Sequence, residues 1–180
     1  MRPKYRHPAM TEDDAQRVRW TFYEVVKNEK ELRNYYAMAF RAPIKVCFGD
    51  IDNAGIVYYP RFMHYFHLAI EEFFSNVLGI DFADIIYLRN VTFPTVHVEG
   101  DFRRRLKYGD RVDMEVHVIE IGKSSITWGY RGYLVGDEEE LVVDGRNTTV
   151  CVTPDTFVKI DVPEWLRTAL TTYMNSCKEK

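Results

Sequence analysis

Residues 48–60 read FGDIDNAGIVYYP, with Asp50 and Asp52 flanking one isoleucine where an apolar strand gives way to a helix. Two carboxylates in such a place are either turn residues or groups aimed at something. An aspartate in a turn commonly folds its side chain back onto nearby backbone, as an Asx-turn or a helix cap. The same short carboxylate, held rigid between a strand end and a helix start, can also be presented to a ligand. On an extended chain Asp50 and Asp52 point to the same side at different depths. Gly55 permits a close backbone approach or a turn that other residues resist. Pro60 suits the first position of a helix. The opening N–H groups of that helix lack intrahelical partners and favour negative charge.

Two other clusters could do chemistry. His64, His67 and Glu71 fall at i, i+3 and i+7 on one helix face, a spacing open to a metal. Without further ligand spacing they read as the polar edge of the helix, and no metal is expected. Arg103, Arg104, Arg105, Lys107 and Arg111, together with Lys123, concentrate positive charge. Charge runs are usually solvated faces, and alternating arginines on a strand cannot all reach one ligand.

The elements that must position these groups are legible in outline. Residues 1–41 are expected to form an N-terminal helical extension. Thr11 and Asp14 resemble a capping box, and Val18, Phe22, Val25, Leu32, Tyr36 and Ala39 follow at helical steps. Pro43 is read as the end of that helix. Residues 42–180 form the main domain. IKVCF (44–48) reads as a strand. After Pro60, a helix carries Phe62, Phe66, Ala69, Ile70, Phe73 and Val77 on one face and more apolar residues elsewhere, so it is buried; Gly79 caps it. Four long runs rich in β-branched and aromatic residues follow, at 93–104, 111–121, 124–135 and 140–152. IGKS and GDEEE connect the last three as hairpins. A short helix follows Pro163. This order fits an α+β, two-layer domain: a long antiparallel sheet wrapped around one central buried helix.

The 180 residues are 46% hydrophobic and 28% charged, which fits one globular domain with a real core. A net charge of -3 argues against a general nucleic-acid binder. No stretch approaches the roughly 20 apolar residues of a membrane span. Three widely spaced cysteines fit a reducing compartment, and the basic, Pro-containing N-terminus lacks the apolar core of a signal peptide, so a cytoplasmic location is expected.

FGDIDNAGIVYYPRFMHYF resembles the motif of the 4-hydroxybenzoyl-CoA thioesterase family of hot-dog-fold acyl-CoA thioesterases. Phe48, Asp50, Asp52, Gly55, Ile56, Val57 and Tyr59 fill the motif places. VHVEGDFRRRLKYGDRV, IGKSSITWGYRG and VDGRNTTVCVTPDTFVKIDVPEWL resemble later family segments in the same order, so the resemblance covers about residues 43–167. Asn53 departs from the small residue or proline frequent at its place.

The resemblance implies a hydrolase that cleaves an acyl- or aryl-CoA thioester. Asp52 would be the nucleophile or the general base, and Asp50 would be scaffold. The backbone N–H of Tyr59 would polarise the thioester carbonyl, with Gly55 shaping the turn beside it. Lys123 and Ser124 match the hairpin that contacts the nucleotide, and Arg104 is a further candidate for phosphate. Tyr58, Tyr59, Phe62 and Phe93 suggest aromatic walls that suit aryl or medium-chain acyl groups alike. Glu71 and Glu72 rank second as catalytic carboxylates. No cofactor is implied, since coenzyme A is part of the substrate. A homodimer is the minimum and a homotetramer is expected, because the family site forms between subunits. The rivals are an acyl-carrier-protein thioesterase and a catalytically silent acyl-CoA-binding or assembly module. A dehydratase would need a catalytic histidine in the strand-to-helix loop, and His97 lies on a strand.

Overall fold

A computed structural model describes residues 39–177. Five strands form one antiparallel sheet: β1 (Arg41–Lys45), β2 (Thr95–Phe102), β3 (Arg111–Ile121), β4 (Ser125–Leu134) and β5 (Glu140–Val150), in the order β1-β3-β4-β5-β2. Helix α1 (Pro60–Asn76) packs on one face of the sheet, flanked by α2 (Phe82–Tyr87) and α3 (Glu164–Ser176). The hot-dog arrangement implied by the sequence is the one observed. The helix expected within residues 1–41 lies outside the described residues except for positions 39–41, and these are not helical: Ala39 and Phe40 have no regular structure and Arg41 begins β1.

The first strand differs from its expected place. It spans Arg41–Lys45 rather than 44–48, with Pro43 inside it opposite Asp113. Only β3 pairs with β1, and an edge strand tolerates a residue that has no N–H to donate. The chain beyond it does not stay extended. Residues Phe48–Asp50 form a turn of 3₁₀ helix, which separates the two aspartates in direction as well as depth.

The α1 sequence predicts its own burial. Phe62, Tyr65, Phe66, Ala69, Ile70, Phe73 and Phe74 are buried at three- and four-residue steps. Phe66 stacks on Tyr130 of β4 with ring centroids 4.3 Å apart and planes 7° apart. That approach requires a residue without a side chain on the neighbouring strand. A Cβ at Gly145 would lie 2.6 Å from Phe66 Cζ and 2.9 Å from the Glu99 carbonyl oxygen. Removing a ring such as Phe66 from a core of this kind costs about 3–5 kcal/mol. Toward the β1 edge of the sheet the Tyr173 hydroxyl of α3 donates to the Val116 carbonyl at 2.6 Å and accepts the Phe40 N–H at 2.8 Å. This fixes where the chain enters β1. Among the described residues no helix is long and apolar enough to cross a membrane.

The Asp50–Asp52 loop and the β3–β4 hairpin lie at opposite ends of the sheet. The segment 46–58 lies beside 106–110, at the start of β3: Val46 N–H donates to Asp110 O, and Val57 N–H to Leu106 O, each at 2.9 Å. The Gly122–Ser124 hairpin lies at the other end of β3. Eleven extended residues separate them, which is about 35 Å at 3.2–3.4 Å per residue.

Candidate active site

The loop that carries Asp52 is a small closed structure. Ile51 and Val57 form an antiparallel bridge. Within it Asp52 N–H donates to Ile56 O at 2.9 Å and Gly55 N–H donates to Asp52 O at 3.0 Å. Gly55 has φ +74°, and nothing lies within 4 Å of a Cβ built on it. Its role is therefore the left-handed turn, not a close approach within this protomer. Asp52 Oδ1 accepts the Ala54 N–H at 2.8 Å. This is an Asx-turn, so the turn chemistry read from sequence is present. It fixes one oxygen of an exposed carboxylate and leaves Oδ2 without a partner among the described residues.

Asp50 behaves differently. It is 8% exposed, and its Oδ2 accepts the Cys47 N–H at 2.8 Å. Its Oδ1 faces Arg61 Nε at 3.4 Å, and its carbonyl accepts the Tyr58 N–H at 2.9 Å. Arg61 also donates from its Nη2 to the Gly49 carbonyl at 2.9 Å. Burial first, and then interaction with the Asp50 carboxylate, pushes the Tyr65 phenol above its ordinary range. Arg61 and Tyr65 went unnoticed in the sequence. A signal existed: a cation in the first turn of a helix opposes the dipole and needs a local anion to hold it there.

Tyr59 is the N-cap of α1, with φ -50° and ψ -35°. Pro60 has no N–H, and the N–H groups of Arg61 and Phe62 turn back to Tyr58 O and Tyr59 O. The Tyr59 N–H finds no acceptor among the described residues. Beside it opens a cavity of about 260 Å³ lined by Ile56, Val57, Tyr59, Phe62, Phe102 and Leu106, with Arg103, Arg104 and Arg105 at its rim. The Phe62 ring packs on Phe102 at 4.9 Å, and the Tyr58 and Tyr59 rings meet at 5.2 Å. Arg104 pairs with Glu140, and Arg103 with Asp101 at 3.0 Å, so two of the three rim guanidiniums already face a carboxylate.

Asp52, Gly55, Tyr58, Tyr59, Phe62 and Arg104 thus gather at one end of the protomer. Lys123 and Ser124 do not join them. They sit on the β3–β4 hairpin at the opposite end, with Lys123 Nζ 3.9 Å from Asp161 and Ser124 O accepting the Cys151 N–H at 2.9 Å. Phe93 is also at that end, packed with Phe74 and Phe82 at 5.8 and 5.9 Å. The second-ranked carboxylates lie along α1. Glu71 pairs with His67 at 3.0 Å and Glu72 accepts from Asn76 at 2.8 Å. At 1.5 Å per residue they are about 18–20 Å from the Tyr59 amide within one protomer. Among the described residues no cluster of three His, Cys, Asp or Glu side chains is placed to hold a metal.

The family model of the thioesterase-like superfamily matches residues 46–170, from just after β1 into α3. The chain belongs to that superfamily. Membership agrees with an enzyme of the thioester-hydrolase class. The chain is 31% identical over 137 residues to a 1,4-dihydroxy-2-naphthoyl-CoA hydrolase of Nostoc punctiforme, covering 73% of this chain and 88% of the relative. It is 26% identical over 124 residues to the enzyme of the same name from Crocosphaera subtropica, covering 67% and 90%. In three dimensions it resembles a 1,4-dihydroxy-2-naphthoyl-CoA thioesterase from Synechocystis, with a TM-score of 0.66 at 23% identity over 74% of this chain and 96% of that one. It also resembles a gentisyl-coenzyme A thioesterase, with a TM-score of 0.64 at 24% identity over 72% and 98%. These structural likenesses establish the hot-dog fold.

Proposed function

We propose that this protein hydrolyses the thioester of an aryl-CoA to the free acid and coenzyme A. The observation that carries this reading is the Tyr59 N–H at the start of α1, which has no acceptor among the described residues, close in sequence to the anchored Asp52 carboxylate and at the mouth of an apolar cavity. The amide and the helix dipole are aimed where negative charge develops on the thioester oxygen. Asp52 supplies either of two steps. Its oxygen attacks the carbonyl carbon, the C–S bond breaks, CoA leaves as the thiolate, and water then cleaves the mixed anhydride. Alternatively it takes a proton from water, which attacks directly. The names of the curated relatives favour an aromatic acyl group over a medium-chain one.

The site is completed by a second copy of the chain. Strand β2 is the outer edge of the sheet, and its apolar row Val96, Val98 and Phe102 is 62%, 44% and 46% exposed. An exposed apolar edge strand is a template for pairing. Antiparallel pairing of β2 with its copy about a two-fold axis reverses the ends of the sheet. It carries Lys123, Ser124 and Phe93 of one protomer toward Asp52 of the other, which accounts for their separation of about 35 Å within one chain. Lys123 and Ser124 then meet the nucleotide, with Arg104 at the cavity rim. The tetramer joins two such dimers. The free thiols of Cys47, Cys151 and Cys177 are in keeping with a cytoplasmic location.

The test is thiol release from a panel of aryl-CoA, alkanoyl-CoA and acyl-carrier-protein thioesters. Preference for aryl-CoA supports the reading. Turnover confined to the carrier-protein thioesters replaces the thiol carrier, and no turnover of any substrate leaves the binding or assembly module.

A further inference from the structure

Asp52 and the Tyr59 amide lie at the two ends of one short loop that runs into α1. Hydrolysis as proposed above requires them to hold one spacing while charge moves from a carboxylate toward an oxygen at the amide. Something must tie their feet together. The loop leaves the core at 47–50 and returns at 57–61, and between these points it makes its own closed turn over 51–57.

Two of the three cross-ties between the two feet end on Asp50, and the third ends on its neighbour Gly49. Its carboxylate takes the Cys47 N–H on the outgoing foot at 2.8 Å and faces Arg61 Nε on the returning foot at 3.4 Å. Its carbonyl takes the Tyr58 N–H, one residue before the amide at issue, at 2.9 Å. Arg61 closes the loop by donating to Gly49 O at 2.9 Å. The Asp50 side chain is buried enough that these partners, and not water, satisfy it. Beneath it lies the Tyr65 hydroxyl, fully buried and without a hydrogen bond of standard geometry among the described residues. No other charged side chain of the loop is buried, and Asp52 itself is exposed.

We propose that Asp50 and Arg61 form a clamp that sets the distance between the Asp52 carboxylate and the Tyr59 amide, so both are positioning residues for the reaction. This rests on the thioesterase reading, and it goes beyond a scaffold role for Asp50: the pair acts on the turnover step and leaves substrate affinity alone. A displacement of about 1 Å between reacting groups is enough to cost roughly 10²-fold in rate. The clamp also explains why a cation occupies the first turn of α1 despite the dipole.

The test compares Asp50→Asn, Arg61→Gln and the double variant with wild type, each as full-length protein. Asparagine retains one acceptor for the Cys47 N–H but cannot pair with a guanidinium. Each single change lowers kcat by about tenfold with KM within about twofold, and the double change costs no more than either alone because one contact has been removed twice. Hydrogen exchange across residues 52–59 quickens in all three, while exchange in β3 and β4 stays as in wild type. Three results overturn the proposal: kcat per folded site unchanged in both single variants, KM rising while kcat holds, or independent additive losses. If wild type releases no thiol from any acyl-CoA, the thioesterase reading fails separately. Exchange then decides: quickening confined to 52–59 supports the clamp, and no change refutes it.

Discussion

Complementation between two inactive chains follows from the geometry of the sheet. Asp52 and the Lys123–Ser124 hairpin lie at opposite ends of β3, eleven residues apart along the strand. A site that uses both therefore draws them from different subunits. Consider Asp52→Asn in one chain and Lys123→Glu in another. In either homodimer both sites carry a defect. In the heterodimer one site carries both defects and the other carries none. Random mixing gives about half heterodimers, each with one of two sites intact, so activity returns to about a quarter of wild type. The assay is thiol release at low substrate concentration from the unfractionated co-expressed mixture, set beside each homodimer. Replacing a charged phosphate contact by a like charge costs on the order of 1.5–3 kcal/mol. The Lys123→Glu homodimer should thus fall at least tenfold at low substrate, and the recovered quarter stands clear of it. Activity no greater than the mean of the two homodimers would refute the two-ended site. It would place Lys123 outside the reaction or the whole site within one protomer.

Other outcomes follow from local packing. Gly145→Ala puts a methyl 2.6 Å from Phe66 and 2.9 Å from a backbone oxygen, so it should cost about 1–3 kcal/mol in chemical denaturation. Gly55→Ala forces a side chain onto φ +74° in open space. It should destabilise by about 1–2 kcal/mol and depress turnover more than global unfolding accounts for. Burial pushes the Cys151 thiol up to about 11, so its neutral form persists at pH 8. Iodoacetamide at pH 8 should modify the exposed Cys47 and spare Cys151 until the protein unfolds. For the same reason the stability owed to the neutral thiol is complete below its unfolded value and is lost as pH rises through about 11.

Much of the architecture was readable because single elements announce themselves. The β-branched runs at 111–121 and 140–152 and the step of Phe62, Phe66, Ala69 and Phe73 state their period within a dozen residues. Helix α2 escaped because six residues are too few to display a helical period. Pro43 reads as a helix breaker in the sequence because its place at the sheet edge depends on the pairing order, which is a property of the whole fold. Asp50 and Asp52 look alike in the sequence, and it is the 3₁₀ turn that buries the first and leaves the second exposed. Phe93 and Phe62 were assigned to one aromatic wall, yet within a protomer they pack in different places. A sequence gives residue types without saying which end of a strand they occupy, and still less which subunit they serve.

In the proposed reaction the Asp52 carboxylate drives hydrolysis of an aryl-CoA thioester. Steady-state thiol release by Asp52→Asn, on the best aryl-CoA substrate of wild type, tests it most directly. The change keeps the side chain's shape and its acceptor for the Ala54 N–H while removing the nucleophile or base. A kcat lowered by about 10²–10⁴-fold, with the fold intact, is the predicted result. A variant that turns over as fast as wild type contradicts it.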